Sequence, residues 1–105
     1  MPKYAKPAGG ERAERPISVF GSAVKFAIIR YLRQHPNSTR KPIGDALDLP
    51  VTTFTHLLGE LEDEGLLIAD PPRAERVKGN WPVYRVNDAA VTALYLRLGQ
   101  ELGEI

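Results

Sequence analysis

Cysteine is absent from this 105-residue sequence. Disulfides, thiolate metal sites, iron–sulfur clusters and cysteine nucleophiles are thereby excluded. Also missing is any run approaching the ~18 consecutive apolar residues that a membrane-spanning helix needs. The opening Met1-Pro2-Lys3-Tyr4 has no apolar stretch behind its charges, so no secretory leader is expected. No phosphate-cradling glycine loop, Ser–His–acid grouping or paired-carboxylate pattern stands out, and no enzymatic activity is expected. Histidine is scarce, with two residues in the whole chain. His35, before Pro36, reads as a helix-end residue near free carbonyls. His56 and Glu60 share an i,i+4 spacing able to hold a metal, yet two ligands make a poor site. No metal and no cofactor is expected.

What is present suits one soluble domain. The chain is 43% hydrophobic and 26% charged, and its length fits the ~100–200 residues of a single domain. A cytoplasmic protein is the expectation. The net charge of +1 conceals an asymmetry: residues 1–58 carry nine Lys/Arg against four Asp/Glu, and residues 59–105 carry five against nine. Within the second half, positions 71–87 are locally basic, with Arg73, Arg76, Lys78 and Arg85 against Glu75 alone. Such a layout hints at a polyanionic partner and equally suits an ordinary solvated surface.

Residues 1–16, with three prolines, two adjacent glycines and no apolar period, read as a flexible basic arm. From Ser18 or Ser22 to His35 the pattern is helical, with Val24, Ile28, Tyr31 and Leu32 on one face, Phe20 a turn earlier, and Lys25, Arg30 and Arg33 on the remaining surface. Ala23, Phe26 and Ile29 make this helix apolar on more than one side, as expected between a core and a second subunit. Thr39 offers an N-cap to a short helix whose inward face is Ile43, Ala46 and Leu47, and Pro50 ends the turn that follows. A third helix over 51–64 carries Phe54, Leu57, Leu58 and Leu61 at i, i+3, i+4 and i+7. Its opposite face shows Thr52, His56, Gly59 and Asp63, with Thr53 and Thr55 flanking, and Gly65 stops it. Glu60, Glu62, Asp63 and Glu64 at its finish oppose the helix dipole and read as solvated surface.

Leu66–Ala69 and Trp81–Asn87 read as two strands of a hairpin with a long basic tip. Trp81, Val83 and Arg85 fall on one face of the second strand, and Pro82, Tyr84 and Val86 on the other. Trp81 and Tyr84 are expected to pack the strand rather than stack on bases. Asp88 caps a last helix whose seam is Val91, Leu94, Tyr95, Leu98 and Leu102.

The expected class is therefore mainly α with a small β-hairpin, a winged helix-turn-helix over residues 17–105 with a helical dimer interface. In such a motif the second helix lies in the DNA major groove with its N-terminal residues on base edges. Thr52, Thr53, Thr55 and His56 are donors at that leading end. Arg40, Arg73, Arg76, Lys78 and Arg85 are the candidate phosphate contacts of the helix-turn-helix and of the wing over 71–82, and Thr39 is a further candidate for DNA binding. Phe20, Phe26, Val91, Leu94, Tyr95, Leu98 and Leu102 are the candidate dimer contacts.

Residues 22 to about 88 resemble the winged helix-turn-helix of the ArsR-type bacterial repressors. The resemblance is carried by Lys25-Phe-Ala-Ile-Ile-Arg-Tyr-Leu32, by Ile43-Gly-Asp-Ala-Leu-Asp-Leu-Pro-Val-Thr-Thr-Phe-Thr-His-Leu-Leu-Gly-Glu-Leu61, by Glu64-Gly-Leu-Leu67 and by Gly79-Asn-Trp-Pro-Val-Tyr-Arg-Val-Asn87. It is more specific for a winged helix than for this branch over MarR-like relatives. It implies a homodimer joined by first and last helices on a palindromic operator, with Val51, Thr52, Thr55 and His56 reading bases. Two departures stand out. The cysteine pair with which many members sense soft metals is replaced by Thr39-Arg40-Lys41, and residues 88–105 lack the histidine of the other common metal site. A transcriptional regulator, acting as a repressor and lacking an evident metal sensor, is the expected function. The rival is a winged helix used only for protein–protein interaction.

Overall fold

A computed structural model describes residues 10–20 and 22–105. Five helices and one hairpin follow in the order α1 (Gly10–Phe20), α2 (Ala23–Gln34), α3 (Arg40–Leu47), α4 (Val51–Asp63), β1 (Leu67–Asp70), a 3-10 turn (Arg73–Glu75), β2 (Val83–Val86) and α5 (Asp88–Leu102). The fold is a winged helix-turn-helix, as the sequence pattern predicts. The expected arm is corrected in part: residues 10–16 belong to α1, and residues 1–9 lie outside the described residues. α1 packs across α5, with Val19 fully buried and the Phe20 and Tyr95 rings edge to face at 6.4 Å.

The core is a single cluster in which Ile28 and Leu32 of α2 meet Ile43 of α3 and Phe54, Leu58 and Leu61 of α4. Beneath them lie Leu66, Leu67 and Ala69 of the β1 strip and Tyr84 and Val86 of β2. The strands pair antiparallel from Leu67↔Val86 to Asp70↔Val83. Ser38, in the α2–α3 connection, bridges Tyr84 with two backbone bonds of 3.2 and 2.8 Å. This bridge ties the hairpin to the helix-turn-helix, so the wing projects from a fixed base.

Local chemistry explains the boundaries. The Ser22 hydroxyl accepts from the Lys25 amide at 3.2 Å. Asn87, not the expected Asp88, caps α5 by accepting from the Ala90 amide at 3.3 Å. Thr39 occupies the cap position of α3 without a side-chain hydrogen bond. The short helix turns inward with Ile43 and Gly44, while Ala46, expected inside, is exposed. Lys25, expected on the surface, is buried at 6% exposure. The α5 seam is divided: Val91 and Leu94 are buried within the protomer, and Tyr95 and Leu102 face outward.

Candidate nucleic-acid interface

Pro50 sets an extended residue before α4, and the helix then buries Phe54, Leu58 and Leu61 completely. With one face so committed, the 3.6-residue period leaves Val51, Thr52, Thr53 and His56 exposed at the leading end. The His56 side chain is 73% exposed, its Nε2 lying 3.2 Å from a Glu60 carboxylate oxygen. Thr55, expected to reach bases, is half-buried. Its Oγ1 is enclosed and lacks a hydrogen-bond partner among the described residues.

The acidic end of α4 is corrected from solvated surface to the anchor of the wing. Arg76 donates to both Glu62 carboxylate oxygens at 3.0 and 2.9 Å and to the Pro71 carbonyl at 3.1 Å. Arg73 donates to Asp63 at 2.7 Å and lies 3.7 Å from Glu62. Both contacts to Glu62 come from the one Nη2 nitrogen, and charge on both partners makes them stronger than neutral hydrogen bonds. Both arginines, expected as free phosphate contacts, are thus already engaged.

On the other side of α4, Lys25 reaches Glu60 at 3.1 Å and Glu64 at 3.3 Å. Burial alone would lower its pKa, but the hydrogen bond to Glu60 and the charge and hydrogen bond of Glu64 outweigh it. The ammonium is held above its ordinary 10.5. The hydrogen bond and charge of Lys25 hold Glu60 below the usual carboxylate value. His56, Glu60 and Lys25 therefore form one chain of contacts from the exposed face of α4 to the buried side of α2.

Arg40 opens α3 with its guanidinium carbon 3.7 Å from the centroid of the Trp81 ring. Trp81, expected as strand packing, is 57% exposed, whereas Tyr84 is buried as expected. Burial keeps the Tyr84 phenol above its usual pKa of 10.0. Lys78 and Arg85 are exposed, Arg85 on the outward face of β2. The expectations from sequence point neither to Lys25 as a buried support behind α4 nor to Trp81 as an exposed part of this surface. Strand alternation did contain the signal for Trp81, since it falls opposite the buried Tyr84.

Of the expected dimer contacts, Phe20, Phe26, Val91 and Tyr95 converge on an apolar groove of about 440 Å³ between α2 and α5, rimmed by Arg30 and Arg33. Phe26 and Tyr95 are 51% and 64% exposed. Leu98 is half-buried and Leu102 exposed farther along α5. Among the described residues, no cluster of three or more His, Asp or Glu is placed to hold a metal, and no helix is long and apolar enough to cross a membrane.

Residues 22–68 match a family described as winged helix-turn-helix DNA-binding. No curated protein matches the chain. Among solved structures, disulfide-formed AbfR is 20% identical with a TM-score of 0.57, over 90% of this chain and 65% of that one. Reduced AbfR bound to DNA is 21% identical with a TM-score of 0.56, over 86% and 66%. NadR in complex with 4-hydroxyphenylacetate is 17% identical with a TM-score of 0.58, over 99% and 80%. The chain thus spans about two thirds of the AbfR chains. At these identities the likeness is one of fold.

Proposed function

We propose that this chain binds double-stranded DNA as a dimeric transcriptional regulator of the cytoplasm, repression being the expected sense. In this reading α4 enters the major groove and the wing lies along the backbone. The carrying observation is the division of α4. Phe54, Leu58 and Leu61 are locked inside, while Val51, Thr52, Thr53 and His56 stand free at its N-terminal end. A helix of ~10–12 Å diameter fits a major groove ~12 Å wide. The leading end also presents the positive pole of the helix dipole to the duplex. The acidic end of α4 does not oppose this approach, because Lys25, Arg73 and Arg76 offset its charges.

The family match over 22–68 and the likeness to a DNA-bound AbfR fold support the same reading. They favour a general winged-helix regulator and do not single out the ArsR branch. The disulfide named for one AbfR structure has no counterpart here, since the chain contains no cysteine. Dimerisation is supported by the exposed Phe26 and Tyr95 flanking the α2–α5 groove.

A mobility-shift titration on a random duplex at low salt tests DNA binding. The expected result is a shift that disappears steeply as salt rises, because phosphate contacts release counterions. An unshifted duplex would favour the interaction-module reading. Light scattering tests the dimer: a mass near 11.6 kDa at micromolar concentration would exclude it.

A further inference from the structure

The cations around the wing fall into two groups. Arg73 and Arg76 are bound to Asp63 and Glu62. Arg40 and Lys78 have no carboxylate partner among the described residues, and both border a crevice of about 420 Å³ between α4 and the wing. Thr55 and Tyr84 form its inner wall, and Trp81 and Asn80 its outer lip. Arg76 also borders it, with Glu62 balancing its charge. The crevice therefore carries an excess of two positive charges.

We infer that this crevice seats one phosphate group, with Arg40 as the principal contact, Lys78 as the second charge and Trp81 as the residue that positions Arg40. The Arg40 guanidinium carbon lies over the Trp81 ring, 3.7 Å from its centroid, a distance that suits face-to-face stacking. The five N–H donors of arginine lie in the guanidinium plane, so a ring against its face leaves them free to fork onto phosphate oxygens. Stacking also limits the rotamers of a side chain that otherwise loses much freedom on binding. Arg73 and Arg76 then shape the wing, while Arg40 and Lys78 make the electrostatic contact. The inference rests on the DNA-binding proposal in taking that phosphate from a duplex backbone; a free phosphate ion shares the chemistry.

Trp81 is the sole tryptophan of the chain, so its emission reports on the crevice directly. The full chain is titrated with a labelled random duplex, and separately with inorganic phosphate, while duplex anisotropy and Trp81 emission are followed. With the duplex, both signals should change at one midpoint. Arg40→Gln should weaken binding and reduce the slope of log affinity against log salt by about 0.9, the share of one phosphate contact. Lys78→Gln should act in the same direction. Trp81→Leu should weaken binding in the wild-type background and have little further effect beside Arg40→Gln, which a general loss of folding would not produce.

If wild type binds duplex while Arg40→Gln and Lys78→Gln keep its affinity and slope, the phosphate seat is refuted and the DNA-binding proposal stands. If the duplex does not bind but phosphate alters Trp81 emission, the seat stands and the DNA-binding proposal fails. If neither probe has an effect, both are refuted.

Discussion

Gly44 of α3 lies so close to the ring of Phe54 in α4 that a β-carbon on it would sit 2.3 Å from Phe54 Cε1. Both residues are buried, and the contact lets the two helices of the helix-turn-helix approach closely enough to seal the core. Gly44→Ala should therefore force the Phe54 ring to move, at a cost of about 1–3 kcal/mol for overpacking. That corresponds to a fall in melting temperature of roughly 4–8 °C per kcal/mol for a domain of this size. A variant that melts with the wild type would show that the helices have room to separate.

Arg76 and Glu62 form the most complete ion pair of the wing, with side chains 21% and 15% exposed. Arg76→Gln or Glu62→Gln alone should each destabilise by about 1–3 kcal/mol, because a partly buried charge loses its partner. The double variant should lose less than the two singles combined, giving a coupling energy within about 0.5–3 kcal/mol. Additive effects in urea denaturation would mean that the pair does not anchor the wing.

Lys25 and Glu60 set a stability window in pH. Glu60 is held below its usual 4.5, so its contribution is present above that value and lost as acid protonates the carboxylate. Lys25 is held above 10.5, so its contribution is complete below that value and lost in stronger alkali. Urea midpoints should accordingly be flat through neutrality and fall at both extremes. Lys25→Met should lower the plateau and weaken the dependence at both ends. An unchanged pH profile in Lys25→Met would contradict the assignment.

Thr55 holds an enclosed hydroxyl with no partner among the described residues. Replacement by the isosteric valine should leave stability unchanged or raise it by about 1 kcal/mol, since an unsatisfied buried polar group is costly. Destabilisation by Thr55→Val would reveal a hydrogen bond formed in solution.

Much of this interface is legible in sequence because its elements repeat locally. The apolar stripe of α4 fixes which residues turn outward, and alternation in the second strand separates Tyr84 and Val86 from Arg85. The partners of charged groups are not legible in that way. Lys25 follows the surface positions of its helix, yet its burial depends on Glu60 and Glu64 arriving from α4. The wing arginines look free until the chain folds back onto Glu62 and Asp63. Gly44 displaces Ala46 from the inner face of α3 because a bulky ring, supplied by the next helix, needs a residue without a side chain. Strand ends shift by one or two residues because pairing, not composition, sets them.

Selection of bound sequences from a random duplex pool, by wild type and by Thr52→Ala and His56→Ala, tests most directly whether α4 reads bases. Wild type should enrich a palindromic site, as the proposed symmetric dimer requires. Each variant should relax one symmetric position of that site, at about 1–3 kcal/mol on the preferred sequence. Enrichment of the same site by all three proteins, with equal discrimination at every position, would contradict the account.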